Sequence, residues 1–336
     1  MPTIVLCGGG TAGHVMPNIA LLPELKKHFD KIYYLGGDGI ERKLAEKASI
    51  PFFGTPVIKF DRKRFFDNVK IPIILSKGIE KAKNIFEEIR PNIVFSKGGY
   101  AALPACFAAK KMGIPVVCHE SDYSFGLANK LVKRFASVVL TSFPETPGGI
   151  YVGNPIRQEI LFSKNDKISL PGLDRSRKTI LITGGSLGSV ALNEIVYAAL
   201  PDLLKKYQIV HISGKNGDFS VKKDHYFQLE YSDEFPAILS YADLVVCRSG
   251  SNTLTEVAAN GKRCITIPLP KGVSRGDQVQ NAESFEKRGY CKVIRQEELL
   301  TDRLLMTIEG MWYKNPPILD VTKINETVVK YILSAL

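Results

Sequence analysis

The chain has 336 residues, of which 45% are apolar and 24% charged. Single hydrophobic cores rarely exceed ~250–300 residues, so this length predicts two domains, and the composition excludes a disordered, collagen-like or disulfide-framework protein. The net charge is +11, of which residues 1–153 carry +8; this asymmetry indicates an anionic partner for the first half, such as nucleic acid, acidic lipid or a phosphorylated substrate.

Taken in chain order, the predicted elements alternate between short apolar strands and helices. The opening segment TIVLCGGGTAGHVMPNIALLPELKK starts as a strand, passes through a glycine loop and enters a helix. Further strands are predicted in the first half at Lys31–Leu35, Asn92–Phe95, Pro115–His119 and Val138–Thr141. Such alternation is typical of a parallel sheet covered by helices.

The second half repeats this pattern. From Thr179, TILITGGSLGSVALNEIVYAALPDLLKK again gives strand, glycine loop and helix. Residues 146–155, which are rich in Gly and Pro, predict a linker with its hinge near Gly153–Pro155. Later strands are predicted at Ile209–Ser213, Leu244–Cys247 and Arg263–Ile267, and a last helix over residues 318–333 could belong to either domain.

The fold predicted from this repeat is α/β, with two doubly wound, Rossmann-like domains facing a central cleft. The expected domains are residues 1–153 and 154–317, and the C-terminal helix, about 318–336, either packs back on the first domain or stays with the second. Ligands of such sheets bind beyond the carboxyl ends of the strands. Four glycine loops are predicted there, two in each half: residues 8–13, 98–100, 184–188 and 249–253.

The first glycine loop also satisfies the GxGxxG spacing of a dinucleotide site. A nicotinamide or flavin site requires an acidic residue about 20 residues further on, to hold the ribose. The corresponding strand ends in Tyr-Tyr-Leu-Gly-Gly, and Asp38 comes late on a glycine turn. An oxidoreductase is therefore the weaker interpretation, and two phosphorylated substrates, one in each domain, are favoured.

Polar residues of the second half suit a nucleotide sugar. Glu256 lies about two turns into a helix that begins at a glycine loop, so its carboxylate could accept both ribose hydroxyls; the alternative is a partner for the helix dipole. Arg157 follows the hinge and could reach a diphosphate. Gln278 and Asn281 offer groups for sugar hydroxyls.

Titratable residues of the first half suit proton transfer. His14 starts a helix, and histidine titrates near neutral pH, so it could take a proton from an attacking hydroxyl. Binding a phosphate or capping the helix is an equally good interpretation of His14. Glu120 or Asp122 could act as the base instead, or could orient the histidine.

The stretch from Lys59 to Lys83 contains eight basic and three acidic residues interleaved with bulky apolar ones. This pattern predicts docking on an anionic membrane surface; a buried helix with a solvated face is the alternative. Nucleic acid is disfavoured because no RRM, zinc or helix-turn-helix signature accompanies the basic residues. Six cysteines without CxxC spacing predict buried, reduced thiols and no metal site.

Seven motifs together resemble the MurG family, the N-acetylglucosaminyltransferases that make the lipid-linked disaccharide of peptidoglycan. They occur in the family's order across nearly the whole chain: GGGTAGHVMP, SKGGYAALP, HESDYSFGLANK, GNPIR, GGSLG, RSGSNTLTE and GDQVQNAE. The resemblance implies a GT-B fold, with UDP-N-acetylglucosamine in the second domain and undecaprenyl-diphosphate-linked lipid I in the first. It also implies a peripheral protein on the cytoplasmic face of the bacterial membrane.

The resemblance also assigns roles to individual residues. On the donor side, Ser186 and Arg157 would contact the diphosphate, Glu256 the ribose, and Gln278 and Asn281 the sugar. The nucleotide phosphates would meet Ser249, Gly250, Ser251, Asn252 and Thr253, and the backbone around Tyr231 and Ser232 would read uracil. The acceptor side would be formed by Thr11, Ala12, Gly13, Gly98, Gly99 and Tyr100.

One residue departs from the family pattern. Many members have Asn where this chain has Asp122, which puts a contact to N-acetylglucosamine in doubt. An inverting transfer without a cofactor or metal is expected, since no Asp-x-Asp motif is present. The alternatives are a different acceptor such as diacylglycerol, a UDP-N-acetylglucosamine 2-epimerase, and a non-enzymatic membrane-docking subunit.

Overall fold

The computed structural model describes residues 2–59, 65–162, 168–185, 188–272 and 275–336. The chain forms two compact units. The first comprises Met1–Arg157 together with Val321–Leu336, and the second comprises Gln158–Asp320. Elements below are numbered in chain order.

The first unit is built on a parallel sheet of seven strands in the order β3-β2-β1-β4-β5-β6-β7. Its strands are β1 (Thr3–Cys7), β2 (Lys31–Gly36), β3 (Phe52–Gly54), β4 (Ile93–Ser96), β5 (Val116–Glu120), β6 (Val138–Thr141) and β7 (Ile150–Tyr151). Its helices are α1 (Ala12–Ala20), α2 (Leu22–Leu25), α3 (Ile40–Lys47), α4 (Ile71–Ile89), α5 (Leu103–Met112), α6 (Leu127–Val132) and, at the C-terminus, α13 (Ile324–Leu333).

The second unit is built on a parallel sheet of six strands in the order β10-β9-β8-β11-β12-β13. Its strands are β8 (Thr179–Thr183), β9 (Gln208–Ile212), β10 (Tyr226–Leu229), β11 (Leu244–Cys247), β12 (Arg263–Thr266) and β13 (Lys292–Val293). Its helices are α7 (Gln158–Phe162), α8 (Val190–Lys206), α9 (Phe235–Tyr241), α10 (Ser251–Ala259), α11 (Asp277–Lys287) and α12 (Thr301–Met311).

The central strands are fully buried because helices cover both faces of each sheet. All five residues of β1 and all five of β8 are buried, which explains their continuous apolar sequences. In the first unit, Phe86 of α4 and Cys106 of α5 pack on Val5 and Val94 of the sheet. In the second, α8 and α12 bury Leu192, Val196 and Ile308 against the sheet. The prediction of two doubly wound α/β domains is confirmed.

The strand predictions are confirmed to within one residue at each end, but four short strands were missed. These are β3, β7, β10 and β13, of two to four residues each, and β7 lies inside the predicted linker. All four are edge strands of their sheets. Such strands depend on their pairing partner more than on their own sequence, so little periodicity marks them.

The predicted start of the last helix is wrong. The helix begins at Ile324, six residues later than the predicted Ile318, which is 72% exposed. Leu319 is not helical because its backbone N–H donates to the carbonyl oxygen of Ala258, 3.0 Å away. In the first unit, Asn325 of α13 then donates to the carbonyl oxygens of Ala20 and Ile156 at 3.0 Å and 2.9 Å.

Two sequence predictions concern membranes and thiols. None of the described helices combines the length and apolar character needed to cross a membrane. All six cysteines are buried free thiols, as predicted. Burial raises the pKa of Cys118 and Cys291 far above the usual range for a thiol, so both stay protonated and unreactive at neutral pH.

Candidate active site

The four glycine loops lie at the switch point of each sheet, where the strand order reverses direction. In the first unit the loops follow β1 and β4, which pair side by side with Cys7 opposite Ser96. In the second unit they follow β8 and β11, which pair with Thr183 opposite Cys247. Parallel sheets bind ligands at this position, beyond the carboxyl ends of the strands. Each unit therefore carries one candidate half-site.

The two loops of the first unit pack directly on each other. The backbone N–H of Gly9 donates to the carbonyl oxygen of Gly98 at 3.3 Å. Gly99 has φ +78°, and a Cβ there would lie 2.2 Å from the carbonyl oxygen of Gly9. No side chain fits between them, so glycine is required for both the conformation and the close approach.

A buried carboxylate joins the first glycine loop to the turn that follows β2. Glu41 of α3 is 2% exposed. Its two oxygens accept from the backbone N–H groups of Gly10 and Gly37, at 3.3 Å and 3.1 Å. In a dinucleotide site an acidic residue in this part of the fold would hold a ribose. Here the carboxylate is used by the protein's own loop, which argues against a nucleotide in the first unit.

His14 lies at the start of α1, and its side chain is half-buried. Its Nδ1 lies 3.0 Å from Thr11 Oγ1. When Nδ1 carries the ring proton and donates to Thr11, Nε2 keeps its lone pair and can accept a proton. The neighbouring Tyr100 ring lies against Gly10, where a Cβ would approach it to 2.4 Å. Thr11, His14 and Tyr100 are thus brought to the same pair of loops.

Glu120 organises the loop that follows β5. It is 3% exposed, and its oxygens accept from the backbone N–H groups of Asp122 and Gly126 and from Asn129 Nδ2, at 2.9–3.0 Å. Burial raises the pKa of Glu120, although these three donors oppose the rise. With both oxygens engaged inside the protein, Glu120 is better suited to positioning the loop than to abstracting a proton from a substrate. Asp122 is half-buried on that loop.

The phosphate-binding candidate of the second unit is the N-terminus of α10. Gly250 occupies the N-cap position, and no described side chain caps the helix. A Cβ added at Gly250 would meet no described atom within 4 Å, so the backbone here is open to a close ligand. Asn252, Thr253 and Glu256 are half-buried on this helix. A helix N-terminus of this kind favours an anion.

Several predicted donor residues support the loop through buried hydrogen bonds. Ser249 is fully buried, and its hydroxyl lies 2.7 Å from Thr266 Oγ1. Asn281 is also fully buried and donates to the Ser249 carbonyl oxygen at 3.2 Å. The Gln278 amide oxygen accepts from the backbone N–H of Leu269 at 3.1 Å. These contacts hold the second-unit loops in place, whereas the sequence suggested direct sugar contacts for Gln278 and Asn281.

The other predicted donor residues lie at the edges of this half-site. Ser232 follows β10 and accepts from the backbone N–H of Glu234 at 3.1 Å, and Tyr231 beside it is 63% exposed. Ser251 is buried at the start of α10. Arg157 is the last residue of the first unit and is half-buried. Ser186 lies outside the described residues.

Sequence reasoning missed Glu41, Asn129, Lys97 and Arg248. Lys97 and Arg248 stand immediately before glycine loops, which is the one signal that could have drawn attention to them. Their burial, and that of Glu41, depends on long-range packing that no local pattern reveals. Within the part of the chain that the structure describes, no cluster of His, Cys, Asp or Glu is placed to hold a metal ion.

Family models match both halves of the chain. Residues 4–141 match the glycosyltransferase family 28 N-terminal domain, and residues 179–327 match the glycosyltransferase family 28 C-terminal domain. Among solved structures, MurG of Acinetobacter baumannii has a TM-score of 0.73 at 24% identity, over 99% of this chain and 100% of that one. The UDP-GlcNAc 2-epimerase of Neisseria meningitidis has a TM-score of 0.71 at 15% identity, over 99% of this chain and 100% of that one. These neighbours show the fold alone.

Together, the paired switch-point loops and the family 28 domains define a glycosyltransferase of the GT-B fold. Two relatives are transferases named UDP-N-acetylglucosamine--N-acetylmuramyl-(pentapeptide) pyrophosphoryl-undecaprenol N-acetylglucosamine transferase. That of Clostridium botulinum (strain Langeland) is 44% identical over 94% of this chain and 92% of its own length. Transferase 3 of Bacillus thuringiensis (strain Al Hakam) is 41% identical over 94% and 93%. The chain belongs to the MurG family.

Proposed function

We propose that this protein transfers N-acetylglucosamine from UDP-N-acetylglucosamine to the muramyl sugar of undecaprenyl-diphosphate-linked lipid I, which gives lipid II for peptidoglycan. The observation that carries the proposal is the difference between the two half-sites. In the second unit, Gly250 leaves the N-terminus of α10 without a cap from any described side chain, and Glu256 lies half-buried about two turns along the same helix, a spacing that suits a diphosphate and a ribose. In the first unit the loop carboxylate Glu41 is already engaged, which leaves glycine loops for a diphosphate without a nucleoside.

In the proposed reaction, Nε2 of His14 takes the proton of the acceptor hydroxyl as the hydroxyl oxygen attacks the anomeric carbon. The bond from that carbon to the diphosphate oxygen breaks, and UDP leaves with the bonding electron pair. A single displacement of this kind inverts the anomeric configuration. Backbone N–H groups at the start of α10, with Ser186 and Arg157, would stabilise the charge that develops on UDP, so that no metal is needed.

The remaining residues have positioning or binding roles in this proposal. Glu256 would hold the ribose, the backbone near Ser232 would read uracil, and Gln278 and Asn281 would act at the sugar end of the donor. Glu120 would fix the loop that carries Asp122. Thr11, Ala12, Gly13, Gly98, Gly99 and Tyr100 would bind the acceptor.

The reaction is tested with purified protein, UDP-N-acetylglucosamine and a short-chain lipid I analogue, scored for UDP release and disaccharide. Disaccharide formation with one UDP per turn is expected. UDP release with diacylglycerol instead would assign a different acceptor. Formation of the C2 epimer without an acceptor would assign an epimerase, and the absence of any turnover would leave a docking subunit.

The glycine at the N-cap of α10 provides a specific test of the donor half-site. Gly250 has φ −67° and ψ 132°, which any residue adopts, and a Cβ there has open space. Gly250→Ala should therefore leave the Tm unchanged while its methyl group obstructs the diphosphate, raising the donor KM about 10-fold. The control is Gly310→Ala on α12, where an added Cβ also has open space. A donor KM equal to the control's would refute close approach of the diphosphate.

We also propose that the first unit docks on anionic membrane on the cytoplasmic side. Support comes from the described part of the stretch from Lys59 to Lys83, where Val69 and Ile73 are 71% and 61% exposed beside Lys70 and Lys77. Exposed apolar side chains next to lysines suit the interface of an anionic bilayer. Phe60, Lys63 and Arg64 of that stretch lie outside the described residues.

Membrane docking predicts a loss of vesicle binding when the two lysines are neutralised. Each basic residue near an anionic surface contributes ~1 kcal/mol, so Lys70→Gln with Lys77→Gln should weaken binding to phosphatidylglycerol vesicles about 30-fold. Activity on a soluble acceptor should persist. The control is Lys222→Gln with Lys223→Gln, which removes two exposed lysines of the second unit. Equal sedimentation of both double variants with vesicles would contradict docking through this surface.

A further inference from the structure

A lysine and an arginine occupy equivalent positions in the two units. Lys97 directly follows β4 and Arg248 directly follows β11. The backbone N–H of Lys97 donates to the Cys7 carbonyl oxygen at 2.9 Å, and that of Arg248 to the Thr183 carbonyl oxygen at 3.3 Å. Each residue thus adds one backbone hydrogen bond beyond the end of the two paired central strands, and a glycine loop follows it.

Lys97 is fully buried against both loops of the acceptor half-site. A Cβ placed at Gly8 would lie 3.2 Å from Lys97 Cβ. Lys97 Nζ lies 2.6 Å from His119 Nδ1 and donates to Asn154 Oδ1 at 3.2 Å. His119 Nε2 lies 2.9 Å from the Gly153 carbonyl oxygen, so Nε2 carries the ring proton and Nδ1 accepts from the lysine.

The hydrogen-bond partners of Lys97 are neutral. Burial and the charge of Lys97 lower the pKa of His119 well below its usual range, so the ring is uncharged. Among the described residues no carboxylate forms an ion pair with Lys97, although Glu120 and Asp122 act on it from a greater distance. Arg248 is 6% exposed and, within the described part of the chain, donates to the neutral oxygens of Ser189, Ile267 and Gln296.

A buried cation without an anionic partner is unfavourable for folding. Removing the charge from water costs free energy that neutral acceptors do not recover. A neutral amide donor could satisfy a histidine nitrogen and an asparagine oxygen without this cost. A buried lysine next to a glycine loop that suits an anion indicates that a ligand favours the charged form of its amine.

We propose that Lys97 is the buried cation that holds the acceptor's diphosphate over the first-unit loops, in the place that Arg248 occupies beside the donor half-site. The inference rests on the proposed function and assigns to Lys97 an electrostatic contribution to acceptor binding. Lys97 acts on the diphosphate through its charge and not by direct contact, because its amine is buried and donates to Asn154. The negative charge of the diphosphate adds to the distant effect of Glu120 and Asp122, since no described carboxylate forms an ion pair with Lys97.

Acceptor binding is then coupled to a proton. Burial lowers the pKa of Lys97 to about 7, while Glu120 and Asp122 oppose this shift; His119 and Asn154 face the amine from the neighbouring segments. A bound diphosphate favours the protonated amine and raises its pKa in the complex. Below about pH 7 the free protein is already protonated and binds tightly. Above it, the acceptor KM should rise up to about tenfold per pH unit.

The test compares Lys97→Met with Lys111→Met, which removes an exposed lysine of the same unit. The Lys97 variant should raise the acceptor KM at least about 10-fold at about pH 6.5 and should lose the pH dependence, with the donor KM unchanged. With an acceptor analogue in which a neutral linker replaces the diphosphate, Lys97→Met should change neither the KM nor its pH dependence. If Lys97→Met raises the KM equally for the diphosphate analogue and for the neutral-linker analogue, Lys97 has a merely structural role and the proposal is overturned.

A second measurement needs no variant. Calorimetric titration of wild-type protein with the acceptor analogue at about pH 7.5, in buffers of different ionisation enthalpy, should show proton uptake. Binding without proton uptake would refute the Lys97 proposal even if the variant fails to fold. Normal turnover with a pH-independent acceptor KM refutes only this inference, whereas wild-type protein without disaccharide product refutes the proposed function itself.

Discussion

Replacing His14 by alanine is expected to lower kcat by ~100- to 10,000-fold, the usual contribution of a general base. His14 Nδ1 lies 3.0 Å from Thr11 Oγ1, and in the tautomer in which Nδ1 donates to Thr11, Nε2 accepts the proton of the acceptor hydroxyl. Steady-state UDP release at saturating concentrations of both substrates measures the effect. Thr11→Val should give a smaller loss, because it removes only the group that orients the ring.

The same variant decides between the two interpretations of His14. A residue that only binds phosphate would raise the acceptor KM and leave kcat within about threefold of wild type. The matched control is His28→Ala, which removes a half-buried histidine that lies 3.7 Å from a Glu24 carboxylate oxygen. Circular dichroism of all variants confirms that the first unit is folded. Near-normal kcat for His14→Ala would remove His14 as the base.

Replacing Glu256 by alanine is expected to raise the donor KM on the order of 100-fold. Two hydrogen bonds from ribose hydroxyls to a carboxylate contribute about 3 kcal/mol at the lower end of the usual range. Glu256 lies on α10, half-buried and two turns from the glycine loop, so a diphosphate at the N-terminus and a ribose at Glu256 are compatible. Donor KM, with the acceptor held at saturation, is the measurement.

A chemical probe separates ribose binding from a general disturbance of α10. A donor whose ribose lacks its hydroxyls should bind wild-type protein as weakly as the normal donor binds Glu256→Ala. Combining this donor with the Glu256→Ala variant should weaken binding little further. Glu194→Ala, on the exposed face of α8, serves as control. Additive losses would contradict the ribose assignment and favour a role in the helix dipole.

Most of the fold could be predicted because the central strands have strong local signals. The strand and helix that flank Gly8 and those that flank Gly184 repeat the same pattern, and their buried strands are continuous apolar runs. The edge strands β7 and β13 contain two residues each and could not be predicted. Their conformation comes from hydrogen bonds to the neighbouring strand, which exist only after the sheet has formed.

The candidate site was only partly predictable, for a different reason. A motif identifies residues close to the ligand but not the direction of each side chain. Ser249 and Asn281 belong to donor motifs, yet both side chains are fully buried and bond to the protein itself. Glu120 was a candidate base in the motif HESDYSFGLANK, yet it supports its loop through three hydrogen bonds.

The sequence by itself determined the fold class, the four glycine loops and the MurG family, because glycine spacing and apolar runs are local properties of the chain. Only the tertiary structure placed Glu41 against Gly10 and Gly37, and Lys97 against His119 and Asn154. Lys97 follows β4, His119 lies in β5 and Asn154 follows β7, and the three residues meet because these parallel strands end at one edge of the sheet. Burial of a charge is a property of that packing, so no local pattern could have shown it.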